Sequence, residues 1–576
     1  MNSTFNLAWI DYAIMFVYFA FVLGIGWVLK SHMKGAKAFL EAGKSMPAWV
    51  AGIAFMSTNL GALAMMGMIG SAAKYGMLTF HFFWIGAIPA MVFLGVFMMP
   101  FYYGSKARSV PEFLKLRYDE KTRGLNAILF GVMTILTSGI SMYATAILAE
   151  RVLGWNFHFA LLASAAIVLI YTYMGGLSSA IYNEVLQFFI VVAGLLPLVI
   201  ISLIDVGGWH ALKTNLAPIV TSIPGKAYAP DVWTSTWKYT GSAAANPMGV
   251  EWYSILLGLG IFLSFGYWCT DFLIVQRAMA AKSKHAAQNT PLIAAMPQMF
   301  VPFLIIPGIV ALWLMHMPQK SFSIVENGVT NYDLTIIMLL KYYLPSGVLG
   351  LGLTALMASF MSGMAGNISA FNTVWTYDIY QSYIRPRTGD GKKDDVHYMK
   401  VGRITTIIGV IAGIGAAYIA KEFHNVTDLL QTIFSMVNAP LFGVILLGMF
   451  WKRCSSNGAF LGLAFGISMA ALHHGMTEPL GSTTLYKGGW LHVVHVYPVE
   501  MAQNLWTAII SFSSSTLSAV AISLLSKNKK TDSEMVGLVY QLTPKEKFEG
   551  VIWYKKSNVL AVIVLVMLVV LSILFW

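Results

Sequence analysis

Residues 265–277 read FGYWCTDFLIVQR and close an apolar run that begins near Ile255. The run is long enough to cross a bilayer, yet it holds Asp271 and ends on Gln276 and Arg277. An acid in hydrocarbon is costly, and polar backbone or side chains survive at membrane depth only inside protein or along a cavity. The stretch is therefore expected to be the inner end of a broken membrane helix, with Gly266 helping it open.

Composition agrees with a membrane setting. Of 576 residues, 57% are hydrophobic and 11% charged, with a mean hydropathy of +0.68. A soluble domain carries roughly a quarter charged residues, so this chain lacks the polar surface to coat a particle in water. Two cysteines, Cys269 and Cys454, make no disulfide framework. The first apolar run lacks a basic leader and a small-residue cleavage site and reads as a retained helix.

Apolar runs lie near 8–30, 47–74, 77–103, 124–149, 156–174, 181–205, 251–275, 291–316, 346–380, 400–420, 427–451, 457–473, 502–526 and 557–576. A span needs about 20 apolar residues, which predicts an all-α integral membrane protein of about fourteen helices. With alternating sides, one set of connections holds 28 of the 37 Lys and Arg, from Lys30 to Lys556. By the positive-inside rule that side is cytoplasmic and both termini are extracytoplasmic. The net charge of +12 is then a matter of topology, and nucleic acid is not an expected partner.

Two runs are interrupted. The second contains STNLGALAMMGMIG, 57–70, and the seventh LSFGYWCTD, 263–271. Broken helices at matching places in two halves point to an inverted repeat with a binding site between them. The expected divisions are 1–46 (first helix and cytoplasmic loop), 47–205 (first five-helix repeat), 206–250 (extracellular loop), 251–455 (second repeat) and 456–576 (three further helices with a cytoplasmic loop at 527–556). Glycines in membrane helices also serve close packing, so Asn59 and Asp271 carry the functional reading. Gly175 and Gly176 predict a tight cytoplasmic turn before Glu184. MASFMSGMAGNISAFN, 357–372, sets Ser359, Ser362, Ser369 and Asn372 at helical spacing, and Gln431, Ser435 and Asn438 precede Pro440, an expected kink. AGKS, 42–45, resembles a P-loop but has Ala38 where that motif needs Gly. No set of nucleophile, base and oxyanion hole supports an enzyme.

YWCTDFLIVQR, FLEAGKSMPAW, SVPEFLKLRYD, YTYMGGLSSAIYNEVLQ, NTVWTYDIY and LLGMFWKR resemble, in the same order, segments of the sodium:solute symporters of the sodium/sugar cotransporter type. The resemblance runs from about 10 to 455 and implies a LeuT-like 5+5 inverted repeat, a small-molecule solute and a sodium ion as partners within the bilayer, and a cell-membrane location. It implies solute contacts at Asn59, Tyr267 (an inner gate) and Gln431, with Ser264 and Trp268 beside them. It implies sodium ligands at the carbonyls of Ser57, Leu60 and Ser359 and the hydroxyl of Ser362, with Glu184 near the ion path. Ala64, Phe83 and Gln298 depart from the polar residues that sugar carriers of this family have there, and Ser362-Gly363 replaces their paired serines. A neutral sugar or polyol is the expected solute. A carboxylate, nucleoside or amino-acid-like solute, or an uncoupled facilitator or sensor, stay open as alternatives.

Overall fold

The computed structural model describes the chain except residues 1–6, 32–34, 62, 327, 390, 422–424, 483–484, 527–529 and 544–551. Lys34, Lys527, Lys529, Lys545 and Lys547, counted above on the basic side, lie outside the described residues.

Eleven helices are long and apolar enough to cross a membrane, and two bent pairs add one span each. In chain order they are α1 (Trp9–Lys30), the pair α2 (Ala48–Asn59) and α3 (Ala64–Phe80), α4 (Phe82–Gly104), α5 (Glu120–Leu153) and α6 (Phe157–Val206). There follow the pair α7 (Ser254–Thr270) and α8 (Phe272–Met279), then α9 (Lys284–Met315), α10 (Val348–Ile384), α11 (Lys393–Lys421), α12 (Val426–Phe450), α13 (Ser456–Met476), α14 (Glu500–Leu525) and α15 (Ser557–Leu574). As the sequence predicts, α6, 50 residues in all, is two helices joined across a kink. At 1.5 Å per residue that is about 75 Å, enough for two crossings. The expected turn is a reversal inside it: Gly176 has φ 53° and ψ −147°, and a Cβ there would meet the Phe39 carbonyl oxygen at 2.4 Å. Counting α6 twice restores fourteen crossings.

Each break has a local cause. At the end of α2, Thr58 Oγ1 donates to Ala54 O (2.9 Å) and Asn59 Nδ2 to Phe55 O (2.7 Å). These back-bonds add a second donor to carbonyls one turn back, which favours a bend; the chain leaves helical geometry at Leu60, and α3 sets off at 54° to α2. The second break lies at Asp271, in extended geometry (φ −70°, ψ 115°), and α8 is bent 50° from α7. The expectation that Gly266 opens the helix is corrected: Gly266 is helical and packs on the α12 backbone, where a Cβ would come within 2.8 Å of Asn438 O. Asp271 is instead the N-cap of α8, its Oδ1 accepting from Leu273 N–H at 2.9 Å.

The inner ends of the helices are tied by the motifs quoted above. Ser109 caps the short helix Val110–Arg117 through Glu112 N–H (3.0 Å) and donates to Asp378 (2.6 Å), which also pairs with Arg123 (2.7 Å). Arg117 donates to the carbonyls of Gly448 (2.7 Å) and Trp451 (3.1 Å). Burial sorts the helices: the most apolar stretch of α10 is 89% buried, against 22% in α1 and 17% in α15. The centre is thus α10 with the broken pairs, and α1 and α15 present their sides to lipid. Pro440 sits within α12, whose helix runs on to Phe450.

Gly176→Val is expected to forfeit about 1–2 kcal/mol through the left-handed backbone alone, with the Phe39 clash added to it. Thermal unfolding of the detergent-purified protein should show a clear fall in Tm, and an unchanged Tm would refute the account of the α6 reversal.

Candidate functional site

Between the two breaks lies a cavity with about 480 Å³ of space unfilled by protein atoms. It is lined by Asn59, Ala64, Phe83, Ser264, Tyr267, Trp268, Gln298 and Gln431, which the sequence singled out, and by Met68, Phe82, Leu263 and Phe434, which it did not. Aromatic rings form much of the wall. Tyr267 stacks on Phe434 with ring centroids 4.6 Å apart, and Trp268 on Phe55 at 5.9 Å.

The floor is one hydrogen bond across the two breaks: Tyr267 Oη donates to Asn59 Oδ1 at 2.6 Å. With Asn59 Nδ2 already given to Phe55 O, the Asn59 amide serves the partition between α2 and α7 and is not a free arm reaching for solute. Two other amides are differently placed. Gln298 Oε1 and Gln431 Oε1 are buried and accept no hydrogen bond. Among the described residues, no Asp, Glu, Lys or Arg lines this cavity.

Beside the first break, α10 meets the open end of α2. Ser362 Oγ lies 3.4 Å from Ser57 O, and Ser359 Oγ donates to Leu60 O. Ser359 O faces Gly61, 3.7 Å from where a Cβ would stand. Carbonyls at a helix C-terminus carry partial negative charge, so this is a group of neutral oxygens suited to a small hard cation. Gly363 brings no hydroxyl, and the Ser141 Oγ of α5 that lies beside it donates to Thr137 O (3.4 Å).

Glu184 is placed in a buried ion pair with Arg277, Oε1 to Nη2 2.5 Å and Oε2 to Nε 3.3 Å, with both side chains at most 1% exposed. Arg277 is enclosed by protein, donating also to Leu273 O (2.7 Å) and Gln276 Oε1 (3.3 Å). The pair ties α8, the second half of one broken helix, to α6. A second pair does the like for the other: Lys74 of α3 meets Asp428 of α12 at 2.8 Å, with Glu500 of α14 at 4.0 Å. Sequence reasoning passed over Lys74 and Asp428, although a base and an acid inside two apolar runs were a legible signal. His81 is buried, its Nε2 bonded to Thr236 O at 2.9 Å, and Cys269 and Cys454 are free and buried.

A cavity between two broken helices five crossings apart, each tied at its far half by a buried ion pair, is the architecture of a membrane carrier. The chain belongs to the sodium:solute symporter family, whose model matches residues 39–466. It is 28% identical over 480 residues to a sodium/glucose cotransporter of Vibrio parahaemolyticus, covering 81% of this chain and 86% of that one. It is also 28% identical over 471 residues to sodium/myo-inositol cotransporter 2 of Sus scrofa, covering 79% and 68%. A solved Na+-coupled sialic acid symporter in a substrate-bound outward-open state has the same LeuT-like fold, with a TM-score of 0.72 at 20% identity over 91% of this chain and 99% of that one.

Glu184→Ala leaves the Arg277 guanidinium buried and unpaired. Such a loss costs about 3–5 kcal/mol and should show as a large drop in Tm, while Tyr267→Phe, which removes one hydrogen bond of about 1 kcal/mol, should leave Tm nearly unchanged. Equal effects of the two would contradict the geometry.

Proposed function

We propose that this chain is a sodium-coupled symporter that imports a small neutral solute rich in hydroxyls, a sugar or a polyol, by alternating access. The observation that carries the solute class is the pair of unpartnered carbonyl oxygens, Gln298 Oε1 and Gln431 Oε1. A buried acceptor left unsatisfied costs about 1–3 kcal/mol, and solute hydroxyls are the donors that would relieve it. The aromatic walls suit the apolar faces of a ring, and the lack of a charged lining residue argues against an anion. That the relatives named above carry glucose and myo-inositol supports the same class.

Sodium is the co-transported ion in this reading. The carbonyls of Ser57, Leu60 and Ser359 and the hydroxyl of Ser362 would hold it, drawing the end of α2 toward α10 and so favouring one state of the carrier. Coupling needs that preference, because a ligand with equal affinity for two states shifts neither. At −100 mV one inward sodium supplies about 2.3 kcal/mol from the potential. The four-helix bundle containing both breaks would rock against the rest of the two repeats, 47–205 and 251–455. The Lys74–Asp428 pair would open on the outer side and the Glu184–Arg277 pair on the inner side, in alternation. The distribution of Lys and Arg supports cytoplasmic placement of the connections carrying them, extracytoplasmic termini and a cell-membrane location.

Proteoliposomes holding the full chain should accumulate a labelled hexose or cyclic polyol when a sodium gradient points inward and stop when it is collapsed. Uptake indifferent to the gradient would refute symport. Gln431→Ala should weaken solute binding about tenfold, the cost of one hydrogen bond at about 1.4 kcal/mol; unchanged affinity would refute the cavity assignment.

A further inference from the structure

Below the Tyr267–Asn59 floor is a second cavity, with about 450 Å³ of unfilled space, shared out among α2, α5, α8, α10 and α12. Asn59, Tyr267 and Phe434 line both chambers, so the floor is a thin partition. The polar groups of the lower chamber include Asp271, Thr58, Thr137, Ser141 and Asn367.

The hydroxyl hydrogens among them, and one of the two Asn367 amide hydrogens, are already committed. Thr58 donates to Ala54 O (2.9 Å), Thr137 to Asn367 Oδ1 (2.7 Å), and Ser141 to Thr137 O (3.4 Å). Asn367 Nδ2 donates to Gly363 O (2.8 Å). A hydroxyl has one proton and two lone pairs, so these side chains turn acceptors toward the cavity. Asp271 adds a carboxylate that is 98% buried, being 2% exposed. Its side chain accepts Leu273 N–H, has the Asn438 amide beside it, and forms no ion pair among the described residues. The base nearest to it in sequence, Arg277, is spent on Glu184. Among the described residues Asp271 thus has no base paired with it, at a depth where an uncompensated charge is strongly disfavoured.

We infer that the lower chamber is a second cation site, in which Asp271 and the oxygens of Thr58, Thr137, Ser141 and Asn367 hold a sodium ion on the cytoplasmic side of the solute floor. It is distinct from the oxygen group formed by Ser57, Leu60, Ser359 and Ser362, and it uses the residue that caps α8. Occupation of the site would give Asp271 a counter-charge and bear directly on the N-terminus of α8. The inference rests on the sodium-symport reading.

The test is equilibrium binding of ²²Na⁺ to the full-length protein in detergent, with wild type, Asp271→Asn, Ser141→Ala and Ser362→Ala. Asn at 271 still accepts from Leu273 N–H, so the cap is kept. Wild type should bind two sodium ions and Asp271→Asn one; Ser141→Ala should weaken one class of site at least threefold, and Ser362→Ala should weaken the other class. Should Asp271→Asn fail to fold, Ser141→Ala carries the test. Asp271→Asn binding as much sodium as wild type, or Ser141→Ala leaving both affinities unchanged, overturns the inference. If wild type binds no sodium at all, the symport reading itself fails. If only Ser362→Ala loses an ion, symport stands and the second site does not.

Discussion

A helix that stops halfway across a bilayer exposes backbone groups that lipid cannot satisfy, and the rest of this structure is arranged around two such stops. At the first, Thr58 and Asn59 bond back to carbonyls one turn earlier in α2, and the last ones turn toward serines of α10. At the second, Asp271 caps the opening turn of α8. The groups that end the helices are also the groups that line the chambers. Backbone satisfaction and ligand binding are therefore one problem here, and a polar residue at either break serves both.

The chambers and their closures follow from the same geometry. Because the two broken helices run in opposite directions, their far halves point to opposite faces, and each ends in a buried ion pair with another helix. Between them the Tyr267–Asn59 hydrogen bond joins one break to the other. Buried ion pairs contribute little net stability but are expensive to break one-sidedly. They suit closures that must be either fully made or fully hydrated.

Much of this was legible in the residue order. Asn59 and Asp271 marked the interrupted spans, and Gln298, Gln431, Phe83 and Ala64 do line one cavity. Gly266 was misread because a glycine in a membrane helix signals a break and a close contact equally well; only its approach to the Asn438 carbonyl shows the second. The turn at Gly175-Gly176 was placed in the right part of the chain. Its form, a positive-φ break at Gly176, leaves no room for a side chain against Phe39. Thr137, Ser141 and Asn367 gave little signal singly, since hydroxyls in apolar helices ordinarily bond their own backbone.

The sequence by itself determined that the chain crosses a membrane many times, which crossings are interrupted, and what chemistry sits at the interruptions. Those are local properties, written in hydropathy, in the spacing of runs and in the identity of single polar residues. Only the tertiary structure decided that Tyr267 spends its hydroxyl on Asn59, that Glu184 and Arg277 neutralise each other, and that Asp271 is left facing a chamber of acceptors. Each of these depends on which residues far apart in the chain are brought within hydrogen-bonding distance. No pattern along one helix specifies the partner it will meet on another.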